Sequence, residues 1–294
     1  MDYASFETIL NRHVFGRTLE ELLKRLVRHP ERFVGLFRPS TASEKILQNL
    51  TQAREIKFGD AMEEVVGEIL QSAGYESLSS PSPELEYDHL YYTPDKQSIV
   101  LIEQKVRDDH DSTKRWGQFQ NFEQKIVAVV NAYPSVPIQA IMYFLDPEFT
   151  KNRNFYARKM QERRDRYPST LMLLFYGEEL FIHLNRVHPL GVGWAEITQW
   201  LQQWRFTLKS AARGLDTSPE AVAQIARESP ELFLDLAKHI RLWEEGIIQE
   251  VFPKPDSLQA ACDVLASVAG RRRLERVFQL KGMITKYYSY GGAE

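Results

Sequence analysis

Apolar residues recur along the chain in two distinct rhythms, and the switches between them lay out its organisation. Leu19, Leu22, Leu23 and Leu26 keep helical spacing, and Ser43, followed by Ile46, opens a second such stretch. From Ala61 to Ala73 the positions Met62, Val65, Val66, Ile69 and Leu70 recur at three and four, and Gly74 closes the helix as a C-cap. The rhythm then shortens. YESLS at 75–79, LEYDHLYY at 85–92 and QSIVLIEQKV at 97–106 read as three strands separated by Ser, Pro, Asp and Lys turns. A helix over 116–132, a strand over 137–145, a basic helix over 151–166 and a strand over 170–176 follow. This alternation predicts an α/β fold, a mixed central sheet flanked by helices. Beyond residue 195 only helical spacing remains, broken at Pro219, Pro230, Pro253 and Pro255. The predicted organisation is an N-terminal helical region (1–54), a core (55–205) and a C-terminal helical subdomain (206–294).

Composition narrows the class. Of 294 residues 43% are hydrophobic and 26% charged, with 16 Phe, 13 Tyr and 5 Trp, which excludes wholesale disorder. The lone Cys262 forms no internal disulfide and offers no zinc-ligand spacing. Charges at Asp2, Glu7 and Arg12 interrupt any signal-peptide pattern, and no window reaches a membrane-spanning length of apolar residues. A cytoplasmic location is expected. The net charge of −3 argues against coating nucleic acid by bulk positive charge. It conceals two basic runs, 151–166 with seven Lys/Arg against Glu162 and Asp165, and 271–286 with six against Glu275. Either run suits a nucleic-acid surface or a solvated helix face.

The chemistry concentrates between Asp88 and Gln118. An acid is out of place in the strand pattern at Asp88, and Glu103 and Lys105 stand two apart in the next strand, so both point to one face. If the two strands are antiparallel neighbours, Asp88 joins them. Two carboxylates and an ammonium at one strand end suit metal-assisted phosphodiester hydrolysis: hard divalent ions bind through carboxylates, and Lys105 would orient or deprotonate the attacking water and offset developing charge. An ordinary surface Glu/Lys pair is the competing explanation. Glu63 and Glu64 lie on the preceding helix, and Glu63 shares a face with Gly59, Val66, Gly67 and Leu70. In the loop after Lys105, Asp111, Ser112 and Thr113 can cap the next helix, while Asp108, Asp109 and Asp111 could equally form a solvated turn. His110 suits hydrogen bonding more than catalysis, and His89 must face away from Asp88. Phosphate loops of Walker type, nucleophile elbows and H-E-x-x-H are missing from the sequence.

In this order the residues resemble the PD-(D/E)XK nuclease superfamily over about 55–180. Asp88 matches the first acid, Glu103 the second and Lys105 the lysine, with Tyr87 in place of the usual proline; KFGDAMEEVVGEIL is similar to the preceding helix, with Glu63 as its acid. The loop KVRDDHDSTKRWGQ is similar to type II restriction endonucleases of the HinfI-like group. The resemblance implies magnesium-dependent, sequence-specific cleavage of double-stranded DNA. Asp88, Glu103, Lys105 and Glu63 would be catalytic, Asp88, Glu103 and Gln104 would hold Mg2+, and Ser112, Thr113, Lys114, Arg115 and Gln118 would contact DNA. It also implies pairing with a cognate DNA methyltransferase; a palindromic target would favour a homodimer in which each protomer cuts one strand, with a monomeric cutter as the alternative. A structure-selective repair or recombination nuclease on the same core and a non-catalytic DNA-binding module are the alternatives.

Overall fold

The apolar run that precedes Glu103 becomes the middle strand of a five-stranded sheet in the computed structural model, which describes residues 1–16, 18–35, 39–208, 215–267 and 271–289. The strands are β1 (Glu76–Ser77), β2 (His89–Tyr92), β3 (Ile99–Lys105), β4 (Ile138–Phe144) and β5 (Thr170–Tyr176), paired in that order. The β1–β2 and β2–β3 pairs are antiparallel, and β3–β4 and β4–β5 are parallel. The expected mixed α/β sheet is therefore present. Parallel neighbours need crossover helices, and α4 (Ser112–Ala132) and α5 (Arg153–Arg163) supply them. Covered on both faces, β3 is apolar at consecutive positions rather than alternate ones.

Strand parity divides the core. Ile99 and Leu101 of β3 and Leu90 of β2 pack with Phe119, Phe122, Ile126 and Val129 of α4 and with Tyr156 and Met160 of α5. The opposite face meets α3 (Ala42–Ser72), whose Gly67 lets the helix approach closely. A Cβ there would come within 3.2 Å of the Tyr91 hydroxyl. The sequence predicts two helices over this range, but 42–72 contains no proline and runs unbroken until Gly74, at φ +88°, ends it. The first two strands are shorter than predicted. Leu78 N–H still donates to the Leu90 carbonyl, but Ser80 Oγ bonds the Ser82 and Leu85 carbonyls and turns the chain away, leaving Asp88 just ahead of β2.

The chain divides into two compact units: residues 1–13 with 58–207, and residues 14–57 with 208–294. The first holds the sheet, most of α1 (Tyr3–Phe15), the second half of α3, and α6 (Glu178–Asn185) and α7 (Trp194–Leu208). The second unit is helical. In it α2 (Thr18–Arg28) packs Leu19, Leu22, Leu23 and Leu26 into one core with Val222 of α8 (Pro219–Glu228), Phe233 of α9 (Pro230–Leu236) and Trp243 of α10 (Ile240–Glu244). Ile247 of α11 (Ile247–Val251), Cys262 of α12 (Asp256–Ser267) and Leu280 of α13 (Arg271–Ser289) complete that core. Residues 14–57, assigned to a separate N-terminal region by their position in sequence, thus share their core with the C-terminal helices. Among the described residues, no helix is long and apolar enough to cross a membrane.

Candidate active site

The antiparallel register pairs His89 with Ile102, so the next step along each strand sets Asp88 against Glu103. Asp88 Oδ2 accepts the main-chain N–H of Gln104 at 2.7 Å and is 3.0 Å from Lys105 Nζ. The same ammonium lies 2.9 Å from Glu103 Oε1 and 2.7 Å from the Gln104 carbonyl oxygen. Lys105 therefore spans three oxygens from three residues. Its burial alone would lower its pKa, but Glu103 and Asp88 outweigh that and hold the ammonium above its ordinary value. Gln104 contributes its backbone to this group and not its side chain, whose opposite parity places it behind the sheet, 3.1 Å from His89 Nε2. His89 is buried there, and that burial lowers its pKa, so the neutral ring faces away from Asp88 as expected.

A second lysine, not singled out from sequence, completes the cluster. Lys125 of α4 bonds Glu103 Oε2, lies 3.7 Å from Asp88 Oδ1 and sits 5.8 Å from the centre of the Tyr87 ring. Its side chain and that of Glu103 are each 3% exposed. The signal was present in the sequence: Lys125 falls in the helical stripe Phe119, Phe122, Ile126, Val129 that α4 turns to the sheet.

The adjacent glutamates of α3 have opposite surroundings. Burial, reinforced by the negative charges of Asp88, Asp60 and Glu103 and opposed by Lys105, pushes the Glu63 carboxyl up to about 7. Glu64 instead bonds His13 at 2.7 Å and Arg12. Those bonds outweigh its partial burial and hold it below the usual range. Glu63 therefore senses the acid pair, while Glu64 ties α3 to α1.

The loop residues named as DNA contacts divide in the same way. Ser112, Thr113 and Lys114 are exposed at the start of α4. The Thr113 and Lys114 amides donate to Asp111 Oδ1 at 3.0 and 2.9 Å, so the cap already engages these two N–H groups. Arg115 Nη1 bonds Asn152 Oδ1 at 3.0 Å, with its guanidinium 4.6 Å from the Phe155 ring centre. Gln118 accepts the Tyr156 hydroxyl at 2.8 Å. Asp108, fully buried rather than part of a solvated turn, accepts from Asn152 N and Nδ2 at 2.7 Å each and from the Tyr176 hydroxyl at 2.9 Å. The loop is thereby anchored to α5 and β5.

Among the described side chains, both basic runs are largely engaged by acids. Arg163 and Arg166 bond Glu123, Arg153 bonds Glu179, and Lys159 bonds Glu162. In the second run Arg273 and Arg276 bond Glu231, and Lys281 bonds Asp263. The side chains of 271 and 272 lie outside the described residues, as do residues 290–294.

The donor set is two carboxylates and a main-chain carbonyl. These are hard oxygens of the kind magnesium takes while retaining waters, so the residues present fit such an ion. Among the described residues no three His, Cys, Asp or Glu side chains form a closed metal cluster.

A mixed sheet with one acid just before an antiparallel strand, and a second acid and a lysine at the end of its neighbour, defines a PD-(D/E)XK-like core. Residues 75–190, from β1 through α6, match the family model of the type II restriction endonuclease HinfI, as the resemblance implied. No curated protein matches the chain.

Proposed function

We propose that this protein is a type II restriction endonuclease that hydrolyses double-stranded DNA at a specific sequence with magnesium. The convergence of Asp88, Glu103 and Lys105 on one strand end, inside the segment that matches a restriction endonuclease family, carries the proposal. Asp88, Glu103 and the Gln104 carbonyl would hold the ion, which when bound polarises the scissile phosphate and acidifies a water. Lys105, kept protonated by the two acids, serves as a donor that orients the water and offsets charge on the phosphate, rather than as the base. The Gln104 N–H fixes Asp88, so the first acid is positioned by the strand bearing the second. Glu63, with its carboxyl pushed up to about 7, is the group best matched to exchanging a proton near neutrality. A homodimer cutting both strands of a two-fold target, and a methyltransferase protecting the same target, complete this reading.

Purified protein incubated with magnesium and a linear plasmid should yield discrete fragments, and sequencing their ends should return one motif. Cleavage confined to branched DNA would assign a structure-selective nuclease instead. Binding without cutting, unaltered by Glu103→Gln, would assign a non-catalytic module.

A further inference from the structure

Lys125 stands apart in the cluster. An ammonium in the apolar stripe of a core helix is strongly unfavourable unless it is paired, and both acids of the site face it. The two lysines divide the acid pair between them. Lys105, with 29% of its side chain exposed, spans Asp88 Oδ2, Glu103 Oε1 and the Gln104 carbonyl. Lys125, at 3%, holds the other oxygen of Glu103 and faces the other oxygen of Asp88. Two carboxylates and two ammoniums balance formally before any metal arrives. Lys105 has solvent to swing into and can vacate its three oxygens. Lys125, buried on the face of α4 that carries Phe122, Ile126 and Val129, has no such exposure.

We propose that Lys125 is a permanent counter-ion of the acid pair. As a positioning residue it fixes Glu103 and keeps the affinity of the site for a divalent cation low, so that the cation binds together with the substrate phosphate, whose negative charge restores the balance. This rests on the metal-dependent reading of the site given above. With Lys105 moved aside, the acid pair alone would carry two negative charges and would load a divalent cation without DNA, whereas Lys125 leaves one, so that a bound divalent cation brings an excess positive charge that the phosphate balances. With Lys125 in place, metal and phosphate each favour the other, and by linkage the coupling is the same in both directions.

Calorimetric titration of calcium into the full-length protein, alone and with DNA, tests the inference without relying on cleavage. Lys125→Met and Lys125→Gln should bind calcium without DNA about tenfold or more tighter than wild type and lose most of the DNA-linked gain, while Lys125→Arg should behave as wild type. Neutral variants that bind calcium no tighter than wild type would overturn the inference, and if Asp88→Asn still abolishes calcium binding, they would overturn it alone. Calcium binding unchanged by Asp88→Asn would overturn the metal-site reading, and the inference with it. If both neutral variants fail to fold without metal, refolding on addition of calcium supports the counter-ion role, and remaining unfolded in calcium overturns it.

Discussion

Glu63 and Glu64 differ only in which side of α3 they leave from, yet they should respond to pH in opposite senses. The Glu63 carboxyl stands at about 7 in the folded protein against an ordinary 4.5, so the folded state binds the extra proton. Its ionisation therefore destabilises the fold progressively as pH rises from 4.5 to about 7, and the penalty is constant above that. A shift of that size would correspond to at most ~3 kcal/mol if fully felt, and partial exposure to water leaves about 1–2 kcal/mol after screening. Glu63→Gln removes the ionisation while keeping the shape. In metal-free protein under chelator it should leave stability unchanged near pH ~4 and raise the melting temperature near pH ~8 by about 3–6 °C. Glu64, held low by His13 and Arg12, contributes stability that is present above its ordinary value and lost as pH falls, so Glu64→Gln should destabilise at neutral pH and converge with wild type in acid. Thermal unfolding of the three proteins across that range is the assay. A Glu63→Gln variant no more stable at alkaline than at acid pH, or two variants shifting in the same direction, would refute the assignment of Glu63 to the acid cluster.

Four further outcomes follow from the same contacts. Glu103→Ala should abolish cleavage and also cost about 3–5 kcal/mol in urea unfolding, because it strands the buried Lys125 ammonium; a variant as stable as wild type would contradict the pairing. Tyr176→Phe should cost about 1–3 kcal/mol by removing a donor from the fully buried Asp108, with faster amide exchange at the start of α5, and unaltered exchange would refute the anchoring role. Arg115→Ala and Gln118→Ala should each lower stability by roughly 1 kcal/mol and weaken cleavage of a true site and of its single-base variants alike, whereas a selective loss on the true site would restore base readout to these residues. Neutralising Arg163 and Arg166, both bonded to Glu123, should leave the salt dependence of DNA binding unaltered, while Lys114→Ala should reduce its slope by about 0.9, and the reverse order would move the DNA surface to α5.

The acid pair was legible because its geometry follows from strand periodicity and short connections. Two neighbouring antiparallel strands bring residues fifteen apart together, and the two-residue period puts Glu103 and Lys105 on one face whatever the rest of the chain does. Partners chosen across long separations were not legible. Arg115 has three loop aspartates within eight residues, yet it bonds Asn152, because α5 begins beside the loop and Asp108 is drawn inward by that helix and by Tyr176. The leucine stripe of α2 announced a buried face without saying that its cover lies two hundred residues further on.

Lys125 belongs between these cases. Its place in the stripe Phe119, Phe122, Ile126, Val129 means that it must point where those residues point, at the face of the sheet formed by Ile99 and Leu101. Glu103 and Lys105 have the same parity as Ile99 and Leu101. An ammonium forced into that layer must find a carboxylate there, since one left unpaired would be expelled or neutralised. Glu103 is the acid that β3 offers on that side. The pairing therefore followed from two periodicities already visible in the sequence, 3.6 on the helix and 2 on the strand, once the basic residue in an apolar stripe is treated as a demand for a partner rather than as an interruption.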